Sequence, residues 1–283
     1  MTIRGGIGHT SEKSGAVVPL LRFIAVGTVT GLGFGLVMAI VSNGFVLGVR
    51  ALSSLREGRL FDLLRFGDLP VSFAPVVSLL IAVAAVLVVR RVFGIKRWHG
   101  PADAIHAAHR SDNELDVKSG FGSTLAAFIS ASGGASVGQY GPLVHFGATM
   151  GSFLRQTTGG VLSTDIFIGC GVAGAIAAGF NAPIAGIVFA HEAVLRHFSM
   201  RAIAPIAIAS VSSVWFSDAF FGSAHIFDLS GVSINLGQML PPALLAGPVF
   251  GLLAVLFMLV IRYSAGFAAR SGWSPTRLLL TAA

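Results

Sequence analysis

The stretch SVGQYGPLVHFGATMG, residues 136–151, sets flexible and polar residues directly ahead of a proline inside an otherwise apolar segment. Pro142 suits the first turn of a helix, where its missing N–H is not needed and its fixed φ favours helix entry. Upstream, Gly138, Gln139, Tyr140 and Gly141 offer backbone N–H groups where the positive end of the new helix dipole points. A helix N-terminus aimed into a cavity is an anion site; the same start, buried, can equally be satisfied by neighbouring carbonyls. Two further segments repeat the device. KRWHGPADAIHAAHR, 96–110, enters a helix through Gly100 and Pro101, and GFNAPIAGIVFAHE, 179–192, places an Asn-Ala-Pro break between two apolar runs.

Other residues with chemical potential point less far. His99, Asp103, His106 and His109 share one helical face and have the spacing of a zinc site, but DNELD follows at once, which favours a solvated helix with unligated histidines. HEAVLRH, 191–197, is not the H-E-x-x-H metalloprotease pattern, since Leu195 stands at the second ligand position. No enzyme is expected. His145 lies one turn into the helix opened by Pro142, and an intramembrane ionisable residue either faces a cavity or is buried and hydrogen-bonded. Glu192 falls near one end of its helix, at a water-accessible or subunit-contact position. Cys170, the single cysteine, excludes an intrachain disulfide and reads as a small core residue.

The elements that must hold these residues are membrane elements. Of 283 residues, 54% are hydrophobic and 11% charged, where a soluble domain carries roughly 25% charged residues. Mean hydropathy is +0.82. Apolar runs wide enough to cross a bilayer, at about 20 residues each, lie at 17–49, 71–93, 202–221 and 239–268. From 119 to 200 the apolar sequence is cut by SASGGASVGQYGP, TTGG and GFNAP, which predicts several short segments. Broken helices at membrane depth are tolerated where they are buried in protein or line a water-filled cavity, so these breaks point to a transport site. Glycines at four-residue spacing, Gly27/Gly31/Gly35, Gly44/Gly48 and Gly147/Gly151, predict close helix packing.

The net charge of +7 does not indicate nucleic acid, because the basic residues collect in loops between apolar runs. With the amino terminus inside, fourteen Lys and Arg fall in cytoplasmic segments and four (Arg50, Arg56, Arg59 and Arg65) outside, with Arg155 unassigned. The positive-inside rule favours that orientation. The first apolar run is far longer than a signal-peptide core, so no cleaved signal is expected.

VGQYGPLVHFGATMGSF and GVAGAIAAGFNAPIAGIVFAHEAV resemble the CLC family of chloride channels and proton-coupled chloride transporters, whose G-[K/R]-E-G-P helix and Gly-Ala helix pair with an F-N-A-P turn they match. The resemblance extends to about residue 270 and implies two inverted halves that place broken-helix N-termini around a central anion. The departures are specific. Tyr140 stands where the family's gating glutamate precedes Gly-Pro. Trp98 stands at the serine of Gly-Ser-Gly-Ile-Pro, and Ala193, beside a retained Glu192, at the intracellular proton-transfer glutamate. The second-half G-x-F-x-P start and central tyrosine are missing; Tyr263, beside Arg262, reads as an interfacial anchor.

The sequence therefore predicts an all-α polytopic membrane protein with broken, short and tilted transmembrane helices, CLC-like but lacking most of the second inverted half. The expected organisation is a cytoplasmic tail at 1–16, a first membrane half at 17–221, an extracellular loop at 222–236, and the start of a second half, truncated, at 237–283. It is expected to be a multi-pass integral protein of the cytoplasmic or inner membrane. The expected function is chloride transport not coupled to protons, as a homodimer, with no cofactor or metal and with chloride as the transported ligand. Gly138, Gln139, Tyr140, Gly141, Pro142, Trp98, Gly100, Pro101 and His145 are the candidate anion-binding or gating residues, with Glu192 as a further polar site. A non-transporting membrane fragment or interaction protein, or a transporter of a non-halide substrate, are the alternatives.

Overall fold

The computed structural model describes residues 10–56, 74–110, 115–158, 161–222, 235–270 and 272. The expected 50–70 and 222–236 loops and the helix start around Pro275 lie largely or wholly outside the described residues. The chain divides into two units, Met1–Ile226 and Phe227–Ala283.

The described residues of the first unit form helices joined by short bends. α1 (Thr10–Arg56) is followed by α2 (Ala74–Phe93), α3 (Pro101–His109), α4 (Val117–Ser132), α5 (Tyr140–Thr158), α6 (Thr164–Phe180), α7 (Pro183–Phe189) and α8 (Met200–Phe221). A π-helical turn, Ala190–Leu195, continues α7. The long apolar runs and the interrupted region fall close to where run length and the helix-breaking motifs put them. Four helices among the described residues are long and apolar enough to cross a membrane: Val18–Leu55, Ala74–Phe93, Met200–Phe221 and Gly237–Phe267. α1, at 47 residues and about 70 Å for ~1.5 Å per residue, has about twice the length that a perpendicular crossing of ~30 Å needs.

α6 is the axis of the unit. Its residues Ile166 to Ala175 are all buried, and α1, α5, α7 and α8 pack around it. Phe34 and Met38 from α1, Leu143 from α5, Val172 from α6 and Ile206 from α8 fill the space between. In lipid the hydrophobic effect does not drive helices together, so close contact between small residues must do so. A Cβ on Gly151 would stand 2.6 Å from the Phe167 carbonyl oxygen, and one on Gly147 would collide with the Gly171 carbonyl, so α5 and α6 touch backbone to backbone. Gly31 meets the Pro205 carbonyl oxygen in the same way, at 2.8 Å, where α1 crosses α8. Gly44 is the exception to the predicted glycine packing: nothing lies within 4 Å of its would-be Cβ.

Polar side chains tie the crossings. The Ser210 hydroxyl donates to the Pro183 carbonyl (2.7 Å), that of Ser213 to the Gly174 carbonyl (2.9 Å), and the Asn43 amide to the Ser217 hydroxyl (2.9 Å). Such bonds satisfy groups that hydrocarbon cannot.

In the second unit, α9 (Leu236–Arg270) is a 35-residue apolar helix that carries Pro241, Pro242 and Pro248.

Candidate functional site

Each helix break has a local cause. α4 stops at Ser132; Gly134 (φ +99°) and Gly138 (φ +70°) then take left-handed backbone that glycine adopts without strain, and α5 starts at Tyr140 with Pro142 in its first turn. α6 ends on Asn181, left-handed at φ 51°, whose N–H and that of Ala182 both return to the Ala177 carbonyl. Pro183 then occupies the first position of α7. Gly100 caps α3 and Pro101 opens it.

The starts of α3, α5 and α7 converge. Pro101, Tyr140, Gly141 and Val144 share one cavity of about 430 Å³ with Ile176 and Phe180 from α6 and Ala185 and Phe189 from α7. Tyr140 packs against Phe180, ring centroids 4.0 Å apart and planes tilted by 31°, and its ring lies 2.8 Å from where a Cβ on Gly179 would be. The cavity wall is almost wholly apolar, and the openings of α3 and α5, with the positive ends of their dipoles, border it.

The candidate residues separate accordingly. Pro101, Tyr140 and Gly141 line the cavity; Gly138, Gln139, Pro142 and Gly100 sit in the bends and first turns behind it. The Gly100 N–H is already engaged by the Asp103 carboxylate at 2.8 Å, so Gly100 shapes the start of α3 without offering its own donor. Trp98 does not line the cavity. It precedes the cap, outside the helix, and its side chain is 40% exposed. Of the two expectations for His145 the structure favours the buried one: it is 1% exposed, off the cavity lining, and packed beside the Gly100 backbone. Glu192 is exposed on the π-helical turn, next to buried His191. Among the described residues no three His, Cys, Asp or Glu side chains group as a metal site requires.

Sequence reading missed the aromatic walls, Phe180 and Phe189, and the pairing of His145 with His99. Phe180 is the aromatic of GFNAP, but only folding shows that it packs against Tyr140.

Around α3 the polar residues have structural work. Asp103 pairs with Arg97 as well as with the Gly100 N–H. Burial pushes its carboxyl up, but these two partners outweigh it and hold the group below the ordinary carboxylate range. Asp116 caps α4, accepting from the hydroxyl and N–H of Ser119, and these bonds likewise hold it low.

Residues 80–283 match the family model described as voltage gated chloride channel. The chain belongs to that family. Among curated relatives, this CLC chain is 26% identical over 187 residues to a putative ClcB-like chloride channel protein of Ralstonia nicotianae, covering 63% of the chain and 43% of that protein. It is 28% identical over 114 residues to the voltage-gated ClC-type chloride channel ClcB of Yersinia pseudotuberculosis, covering 40% of the chain and 28% of the relative. Two solved structures share the fold: a slow cyanobacterial Cl⁻/H⁺ antiporter (TM-score 0.58, 22% identity, 75% of this chain and 51% of that one) and a CLC-type fluoride/proton antiporter (TM-score 0.60, 20% identity, 81% and 55%). The CLC chain thus spans under half of these curated relatives and about half of the solved structures.

Proposed function

We propose that the chain contributes to transmembrane transport of a small anion, chloride in the first instance, and that the anion occupies the cavity at the openings of α3, α5 and α7. The convergence of these proline-led helix starts on one apolar cavity carries the reading. Backbone N–H groups at the start of α5 hold the ion, and the Tyr140 ring, braced by Phe180, closes one side of its space.

Transport is uncoupled from protons in this reading. A carboxylate before Gly-Pro can alternate between competing with the anion and carrying a proton, because burial raises its reference value of about 4.3 towards neutrality. A phenol, with a reference value of about 10, keeps its proton at neutral pH. Tyr140 and Ala193 stand at the two positions concerned.

Purified protein reconstituted in liposomes tests both parts. With an imposed chloride gradient, chloride flux and internal pH are recorded together. Chloride movement without proton pumping, altered in Tyr140→Glu, is expected; stoichiometric uphill proton movement overturns the uncoupled reading. A second reading is binding without conduction. Chloride binding in detergent with no flux in liposomes supports that one.

A further inference from the structure

Arg22, Val26, Val29 and Gly33 recur along one face of α1 at steps of four, three and four residues. Val26 and Val29, with Ala25, form one wall of a groove of about 330 Å³. Val161, Leu162 and Phe167, which lead into and begin α6, form the other. Among the described residues Thr30 is the one polar side chain that lines it. Gly33 continues the face beyond the groove: nothing lies within 4 Å of its would-be Cβ, so the surface stays open there. From Arg22 to Gly33 the helix rises about 16 Å at ~1.5 Å per residue, close to half of the ~30 Å hydrocarbon core. The open face therefore has the length of one lipid leaflet.

Arg22 stands at the end of this face, one helical turn before Ala25 and Val26. It is exposed, and no carboxylate among the described residues pairs with it. Asp165, in the first turn of α6, is directed to His197 instead, 3.6 Å away. A helical side chain leans towards the helix N-terminus, so Arg22 reaches back from the groove towards the headgroup level while its methylenes cover apolar surface. A flat apolar helix face is solvated by any lipid tail. Two walls with a fixed charge at one end do more: they hold a single chain and select its headgroup.

We propose that this groove holds one acyl chain of an anionic phospholipid from the leaflet at the N-terminal end of α1, with the Arg22 guanidinium on its phosphate. A guanidinium offers paired N–H donors to phosphate oxygens, which a zwitterionic headgroup partly offsets with its own cation. The groove lies at Phe167, at the opposite end of α6 from Phe180 and the cavity at the helix starts, so lipid binding here does not depend on an anion there.

The test uses the purified 283-residue chain in detergent, titrated with dioleoyl phosphatidylglycerol or dioleoyl phosphatidylcholine, and counts retained lipid by native mass spectrometry. Phosphatidylglycerol should be retained roughly fivefold better, the effect of one basic residue near an anionic lipid surface. That preference should vanish in Arg22→Gln and persist in Arg91→Gln, which removes an exposed charge at the end of α2. A phosphatidylglycerol with a diazirine in its acyl chain should crosslink to residues 25–30 and 161–167, and Val29→Trp, which fills the groove from an exposed position, should abolish those crosslinks. Equal retention of the two lipids, a preference unchanged in Arg22→Gln, or crosslinks confined to other faces overturns the proposal. Displacement of the lipid by an equal concentration of glycerol 1-phosphate would show a site for the free anion alone, and overturns it too.

Discussion

Gly171 and Gly147 face each other across the α5–α6 crossing so closely that a Cβ on either would meet the other's carbonyl. A methyl group there cannot be absorbed by a flexible side chain, because the obstacle is backbone. Gly171→Ala should therefore cost about 1–3 kcal/mol, the usual range for overpacking a filled interior, read as a lower melting temperature in detergent. Gly44→Ala should be neutral or slightly stabilising, since its Cβ meets nothing and alanine is the better helix former by about 0.5–1 kcal/mol. Equal effects at the two sites would refute this ranking. The contrast also shows what spacing alone can tell. The four-residue glycine pattern was legible at both places, but period reports only that a face is small. Whether another helix lies on that face is decided by tertiary contact. The same holds for Trp98, placed at a motif position by alignment of residue types yet 40% exposed, and for Phe180, whose contact with Tyr140 is made only in the folded chain.

α3 is short, nine residues, and short helices depend heavily on their ends. Asp103 supplies much of that end by accepting from Gly100 and pairing with Arg97. Its folded carboxyl is held below its ordinary value of 3.8, so the stabilisation is fully present above that value and is lost as pH falls through the lower folded one. Amide exchange within α3 should therefore accelerate below about pH 4, and Asp103→Asn should show the fast rate already at pH 6. Unchanged exchange in the variant would mean that the helix is held by packing alone. At this scale the sequence was informative because helix ends are made by local chemistry: Gly-Pro, Asn-Ala-Pro and the Gly-rich bend each mark a real break. Orientation is a further property of the elements. From the fourteen-to-four distribution of basic residues we expect the 90–118 segment in the cytoplasm and the end of α1 outside. A membrane-impermeant thiol reagent added externally should label Ser53→Cys and not Asp112→Cys, each in a Cys170→Ala background. The opposite pattern would invert the topology.

For the molecule as a whole, the sequence made the membrane class and the CLC-type fold plain, because apolar composition, span length and the F-N-A-P turn are all written locally. Self-association is harder to read. Ala185, Ile187 and Ala209 are the small and aliphatic residues that the family resemblance puts at a subunit contact, but Ala209 is fully buried against its own protomer and Ala185 lines the cavity. The side chains that project from the same helices are Ile184, Val188, Val211 and Trp215. In water such a surface would demand cover; in hydrocarbon it does not, because lipid tails solvate these groups as well as a partner would. Any dimer must then come from shape and van der Waals packing on this face, and mass action makes it concentration-dependent. We expect a weak homodimer in liposomes, seen as energy transfer between labelled copies that rises with the protein-to-lipid ratio. Trp215→Ala, which removes the largest projecting side chain, should shift that rise to at least several-fold higher ratios while leaving the helical circular dichroism unchanged. Energy transfer no greater than random proximity at the highest ratio would show a monomer, and a rise unaffected by Trp215→Ala would place the contact on another face.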